Sequence, residues 1–105
     1  VYVYLEKPEL IQEALDILQG VSGVEAVYPQ EEAVEKFELM KDRIGDLFVL
    51  GDKDVVFGEF ETVEVPVKVR SHGSCHESAV PIIAYGSEMT GGYEKNLDLV
   101  CRMEI

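Results

Sequence analysis

VYVYLEKPELIQEALDILQGVSGVEAVY, residues 1–28, decides the fold class, because a strand pattern, a helix pattern and a second strand pattern follow one another without a break. VYVYL at 1–5 is β-branched and aromatic, which reads as a strand. Pro8 suits the first turn of a helix, where its missing N–H would have no partner, and Glu9 lies near the positive end of the helix dipole. Leu10, Ile11, Ala14, Leu15 and Leu18 then share one helical face, and Gly20 supplies the stop. VEAVY at 24–28 is the second strand, expected to lie beside the first by a right-handed crossover.

Working outward, Pro29 ends that strand and a second helix is expected over about 30–41. Ala33, Val34, Phe37 and Met40 form its apolar face, with Glu31 and Glu32 in the first turn. Residues 1–42 therefore read βαβα. Beyond Met40 the rhythm changes. DRIGD is turn-like, LFVL at 47–50 is a short buried strand, GDKD is a tight turn, and VVF at 55–57 resumes a strand. Val63, Val65, Val67 and Val69 alternate with Glu64, Pro66, Lys68 and Arg70, and Pro66, lacking a ladder donor, puts this strand at an edge or a bulge. AVPIIAY at 79–85 is continuously apolar, as in a strand covered on both faces. The tail NLDLVCRMEI allows a strand, with Leu99, Cys101, Met103 and Ile105 alternating, or a short helix capped by Asn96. The expected fold class is α+β, with a βαβα front half and a strand-rich C-terminal half over 43–105.

Length and composition narrow the function classes. A chain of 105 residues is one domain by length, and with 47% apolar residues it can bury a modest core without staples. Twenty-one acids against 9 Lys and Arg leave a net charge of −12, with no basic stripe, so nucleic-acid phosphate is repelled. The acids read as solvated helix faces and turns. No apolar run approaches a membrane span of about 18 residues. Cys75 and Cys101 are expected to be reduced thiols of a cytoplasmic protein, a disulfide between them being the alternative. The chain opens on Val1 rather than Met, which hints at a piece of a longer polypeptide.

VRSHGSCHESAVPIIAYG, residues 69–86, holds both histidines and one cysteine. Neutral imidazole is a good zinc ligand, and Glu77 is placed to orient a histidine as a carboxylate behind it. The spacing of His72 and His76 is diagnostic on a helix, but Gly73 and Ser74 argue against one, and no H-E-x-x-H is present. Cys75 and His76 occupy adjacent positions that point apart on an extended loop, so Cys75 is not read as a nucleophile. Asp52 and Asp54 read as turn residues bonding their own backbone. Neither a phosphate-cradling glycine pattern nor a G-x-S-x-G elbow occurs, and no catalytic residue is assigned.

RSHGSCHESAVPIIAYG resembles the final metal-binding motif of the alkaline phosphatase superfamily, in the branch of phosphonoacetate hydrolase and the nucleotide pyrophosphatase/phosphodiesterase-like enzymes. RIGDLFVLGDKDVVFGE, residues 43–59, is similar to the run preceding that motif, and residues 1–42 resemble the smaller cap domain. The resemblance implies a hydrolase with two metal ions, usually zinc, acting on a small phosphonate or phosphodiester. It makes His72 the zinc ligand of the His-Gly motif, and gives His76 and Glu77 a supporting or substrate-facing role. The family's nucleophile and other ligands belong to segments not found in this sequence. The chain thus resembles cap plus C-terminal segment, partnered by the rest of a parent polypeptide and inactive by itself. A different class remains open: a free-standing α+β module that binds a small ligand or self-associates, with homodimer formation covering unpaired strand edges.

Overall fold

The computed structural model describes residues 1–88 and 91–101. Its organising element is the strand Leu47–Gly51, in which every residue except Phe48 is buried. A strand hidden on both faces needs both edges paired and both faces covered. One edge takes β1, Tyr2–Val3, and the other takes β2, Val24–Pro29, so that Leu47–Gly51, β3, is the middle of a three-stranded sheet of order β1-β3-β2. Both pairings are antiparallel, with Tyr2 opposite Phe48, and Tyr28 opposite the same residue on the far side. The expected crossover placing β2 directly beside β1 is therefore corrected: β3 lies between them. The reason is burial, since LFVL is the most apolar of the three runs and takes the centre.

Alternation divides the side chains between the two faces. Val27, Leu47 and Val49 form one face, packed by Val3, Leu5 and the Ile11, Ala14, Leu15 and Leu18 stripe of α1, Ile11–Gln19. Pro8 opens a single 3-10 turn leading into α1, as its fixed φ favours. Leu10, expected on the apolar stripe, is exposed. On the opposite face Phe48 meets Phe37 of α2, Gln30–Phe37, edge-on at 5.1 Å, and Phe37 meets Tyr28 at 5.2 Å. Lys36 donates to the Tyr28 hydroxyl at 3.0 Å and lies 4.7 Å from that ring's centre. That hydrogen bond holds the Lys36 ammonium pKa above its ordinary value. α2 is shorter than the expected 30–41, because Glu38 turns into the left-handed region at φ 54° and breaks the ladder.

The link from α2 to β3 is held by polar contacts. Gln30 donates from its side chain to the Lys41 and Ile44 carbonyls and from its backbone to Asp46. The Asp46 carboxylate accepts the Leu5 N–H at 2.8 Å, just beyond the end of β1. Gly45 passes so close to β1 that a Cβ there would lie 2.4 Å from the Val3 carbonyl oxygen. Only glycine fits that approach.

Past Gly51 no further strand forms among the described residues. The runs 55–57, 63–69 and 79–85, expected as strands, lack ladders, which corrects the strand-rich C-terminal half. Alternation marks a chain ready to be a strand, but a strand exists only with a partner, and Pro66 removes a donor as well. Val63, Ile83 and Tyr85 are at least nine-tenths exposed. The radius of gyration, 17.5 Å, exceeds the roughly 13 Å of a packed domain of this length. Near the C-terminus a helix forms, α3, Asn96–Cys101, and the strand alternative is excluded over those residues; residues 102–105, including Met103 and Ile105, lie outside the described residues. At the start of α3, the Asp98 carboxylate accepts the Glu94 and Lys95 N–H groups. The fold class is α+β.

Gly45→Ala is expected to destabilise the protein by about 1–3 kcal/mol through the forced clash with β1. Leu47→Ala, emptying a fully buried site, is expected to cost about 2–5 kcal/mol. Urea unfolding monitored by far-UV circular dichroism checks both, and a midpoint unchanged in either variant contradicts this account of β3.

Candidate functional site

The polar segment singled out in the sequence is not helical around His72. Gly73 adopts a φ of 108°, a conformation L side chains rarely take, and nothing stands within 4 Å of where a Cβ would be. The chain then closes into a 3-10 turn, Cys75–Glu77. Ser74 caps it by accepting the His76 N–H at 3.2 Å, and the Ser78 hydroxyl donates to the Cys75 carbonyl at 2.8 Å. This turn separates the two histidines in space.

His72 is fully exposed, and Glu77 lies 3.6 Å from it, the one carboxylate ion-paired to it among the described residues. It lines a groove of about 650 Å³ together with Arg70, Ser71, Glu77, Asp52 and Asp54, with Val55, Phe57 and Val67 also in its lining. The donor set at His72, one imidazole and one carboxylate, falls short of the roughly four ligands that zinc requires. Taken alone, these residues do not fit a closed zinc centre.

His76 stands differently. Its Nε2 lies 2.8 Å from Glu25 Oε1 and 4.0 Å from Asp52 Oδ1. The three donor atoms, from chain positions far apart, all lie within 4.8 Å of one another. Glu25 comes from β2, at an irregularity in the β2–β3 register: Val24 pairs with Gly51 and Ala26 with Leu50, leaving Glu25 as the extra residue. Such a bulge re-aims a side chain. Asp52 follows β3 immediately, its N–H donating to the Gly23 carbonyl at 2.9 Å and its Oδ1 accepting the Lys53 N–H at 2.8 Å. The turn role expected of Asp52 is thus present, and a second role in facing His76 accompanies it. Asp54 takes φ 68° in that turn, which aspartate tolerates.

Glu25 had no signal in the sequence. It reads as the solvent position of an alternating strand, and only the bulge and the return of residues 74–78 to the sheet bring it to His76. Glu77 reaches toward His72 rather than His76. Cys75 is a free, exposed thiol; the side chain of Cys101 lies outside the described residues. No helix among the described residues is long and apolar enough to cross a membrane. No protein-family model matches the chain.

The His76–Glu25 contact ties the 3-10 turn to the sheet across 51 positions of sequence. Being exposed, it is worth less than about 1 kcal/mol to global stability. Glu25→Gln is therefore expected to leave the unfolding midpoint nearly unchanged while accelerating amide hydrogen exchange over residues 74–78. Unaltered exchange there shows that the pair does not hold the turn.

Proposed function

We propose that the chain is the cap and C-terminal metal-motif part of a metal-dependent hydrolase of the alkaline phosphatase superfamily, acting on a small phosphonate or phosphodiester. The observation that carries this reading is the RSHGSCHESAVPIIAYG segment, with His72 presented in full solvent exposure on a groove wall. In the complete enzyme a pair of zinc ions would supply Lewis acidity, polarising the phosphorus centre and lowering the pKa of the nucleophile. His72 would furnish one ligand to that pair, and the remaining donors and the nucleophile would come from the parent polypeptide.

The residues of this chain have definable tasks in that setting. Arg70 lines the groove beside His72 and carries a permanent positive charge, in a planar fork suited to phosphonate, phosphate or carboxylate oxygens. Gly73 lets the backbone turn away directly after His72, leaving its imidazole unobstructed. Glu77, 3.6 Å from His72 Nδ1, is close enough that a small shift would let it accept from Nδ1 and leave Nε2 for the metal. The valine-rich 63–69 and apolar 79–85 segments, without ladders here, suit strands that join a larger sheet. Cys75 as a free thiol accords with a reducing, cytoplasmic setting.

A second reading, a free-standing α+β module that self-associates, draws on the same exposed apolar segments. A homodimer would cover Val63, Ile83 and Tyr85 instead of a parent sheet.

Metal analysis and turnover of a generic phosphodiester by the full gene product test the first reading. The protein is expected to hold about two zinc ions per chain at the hydrolase centre. His72→Ala is expected to lose about one of them and at least ~100-fold in rate, and the 105-residue chain alone to be inactive. Unchanged metal content and rate in His72→Ala remove His72 from the ligand set. Robust turnover by the isolated chain defeats the proposal as a whole.

A further inference from the structure

We infer that Glu25, Asp52 and His76 form a separate binding site for one divalent transition-metal ion of the zinc class. The site does not use His72, so it stands or falls independently of the hydrolase reading. An imidazole with two carboxylates is a donor set suited to zinc, cobalt or manganese rather than to calcium or magnesium, which favour oxygen alone. In a tetrahedral zinc site with ligands near 2.1 Å, donor atoms stand roughly 3.4 Å apart. Here His76 Nε2 is 2.8 Å from Glu25 and 4.0 Å from Asp52, and no pair of the donor atoms exceeds 4.8 Å. The separations to His76 depart from that value by about 0.6 Å in each direction, a change small enough for rotation of exposed side chains to supply.

The placement is built by the backbone, which makes the convergence more than a meeting of mobile surface groups. The β2 bulge aims Glu25, the hydrogen bond from the Asp52 N–H to Gly23 fixes the next ligand, and Ser74 and Ser78 brace the turn carrying His76. The Lys53 N–H engages Asp52 Oδ1, which leaves Oδ2 as a second donor atom of that carboxylate. Three protein donors leave a tetrahedral ion one position, facing solvent, for water. Side-chain exposures of 39%, 35% and 61% for His76, Glu25 and Asp52 keep the site open to an entering ion. The chain's net charge of −12 favours cation binding at long range.

Binding would do physical work in the fold. Residues 74–78 are held to the sheet by the exposed His76 contacts, and an ion shared by three segments would replace that weak link with coordinate bonds. The ion would act as a clasp between the βαβα front half and the motif-bearing segment. Because the same segment carries His72, the clasp would set the position of the groove wall.

Titration of Co²⁺ into chelator-stripped protein, followed by its visible d–d absorption and by zinc competition, tests this. The expected result is saturable binding that falls by at least about tenfold, or by one metal equivalent per chain, in Glu25→Gln and in His76→Gln, with Asp52→Asn also weakened. His72→Ala is expected to leave this equivalent in place, which separates it from any ion of a hydrolase centre. Circular dichroism of each variant establishes that the fold persists, and added Zn²⁺ is expected to slow proteolysis within residues 70–78 of the wild type but not of Glu25→Gln. Absence of saturable binding overturns the inference, as does binding that is insensitive to Glu25→Gln and His76→Gln in folded protein.

Discussion

Everything described depends on hiding a five-residue strand, Leu47–Gly51, from water on both faces and both edges. Buried side chains on both faces, Leu47 and Val49 on one and Leu50 on the other, cannot be covered by one helix. The strand takes α1 on the Leu47/Val49 face and α2 on the Phe48 face, with β1 and β2 as its two edges. The surrounding choices follow from that demand. Gly45 is needed where the chain enters β3 against Val3, and Asp46 satisfies the Leu5 N–H left when β1 ends. Gln30 anchors the connecting turn through its side-chain amide. The βαβα front half therefore has no core of its own without β3, whose Leu47 and Val49 complete it.

The same strand determines where chemistry can gather. Its C-terminal end delivers Asp52, and the adjoining start of β2 delivers Glu25 from a bulge, so two carboxylates share one end of the β2–β3 pair. The 3-10 turn over residues 75–77 then decides which histidine meets them. With Ser74 capping the turn, His76 faces the sheet and His72 is left outside, beside Glu77. Two histidines four positions apart consequently occupy different environments, one paired with the sheet and one lining an open groove.

The local pattern was legible where each element is stabilised locally or by a neighbour close in sequence. The stripe from Ile11 to Leu18, the Pro8 entry, the VEAVY strand and the LFVL strand all appear where their periodicity and punctuation place them. Strand order was not legible, because register and pairing are set by which run is most thoroughly buried. The valine alternation over 63–69 misled for a related reason: period two describes an extended chain with one dry face, and these residues pair with neither edge strand, β1 or β2. The candidate site divides in the same manner. His72, His76 and Glu77 announce themselves by residue type, whereas Glu25 reads as one more acid among 21.

What the sequence determined by itself is the α+β class, the identity of the helices around 11–19 and 30–37, and the segment that carries the histidines. These rest on local quantities: side-chain periodicity, proline and glycine geometry, and the chemistry of residue types. Only the tertiary structure decided that β3 lies between β1 and β2, that Glu25 leaves the ladder, and that His76 rather than His72 meets two carboxylates. Those outcomes depend on contacts between residues about 25 to 50 positions apart, whose geometry is fixed by burial of a shared core and has no signature in any short stretch of chain.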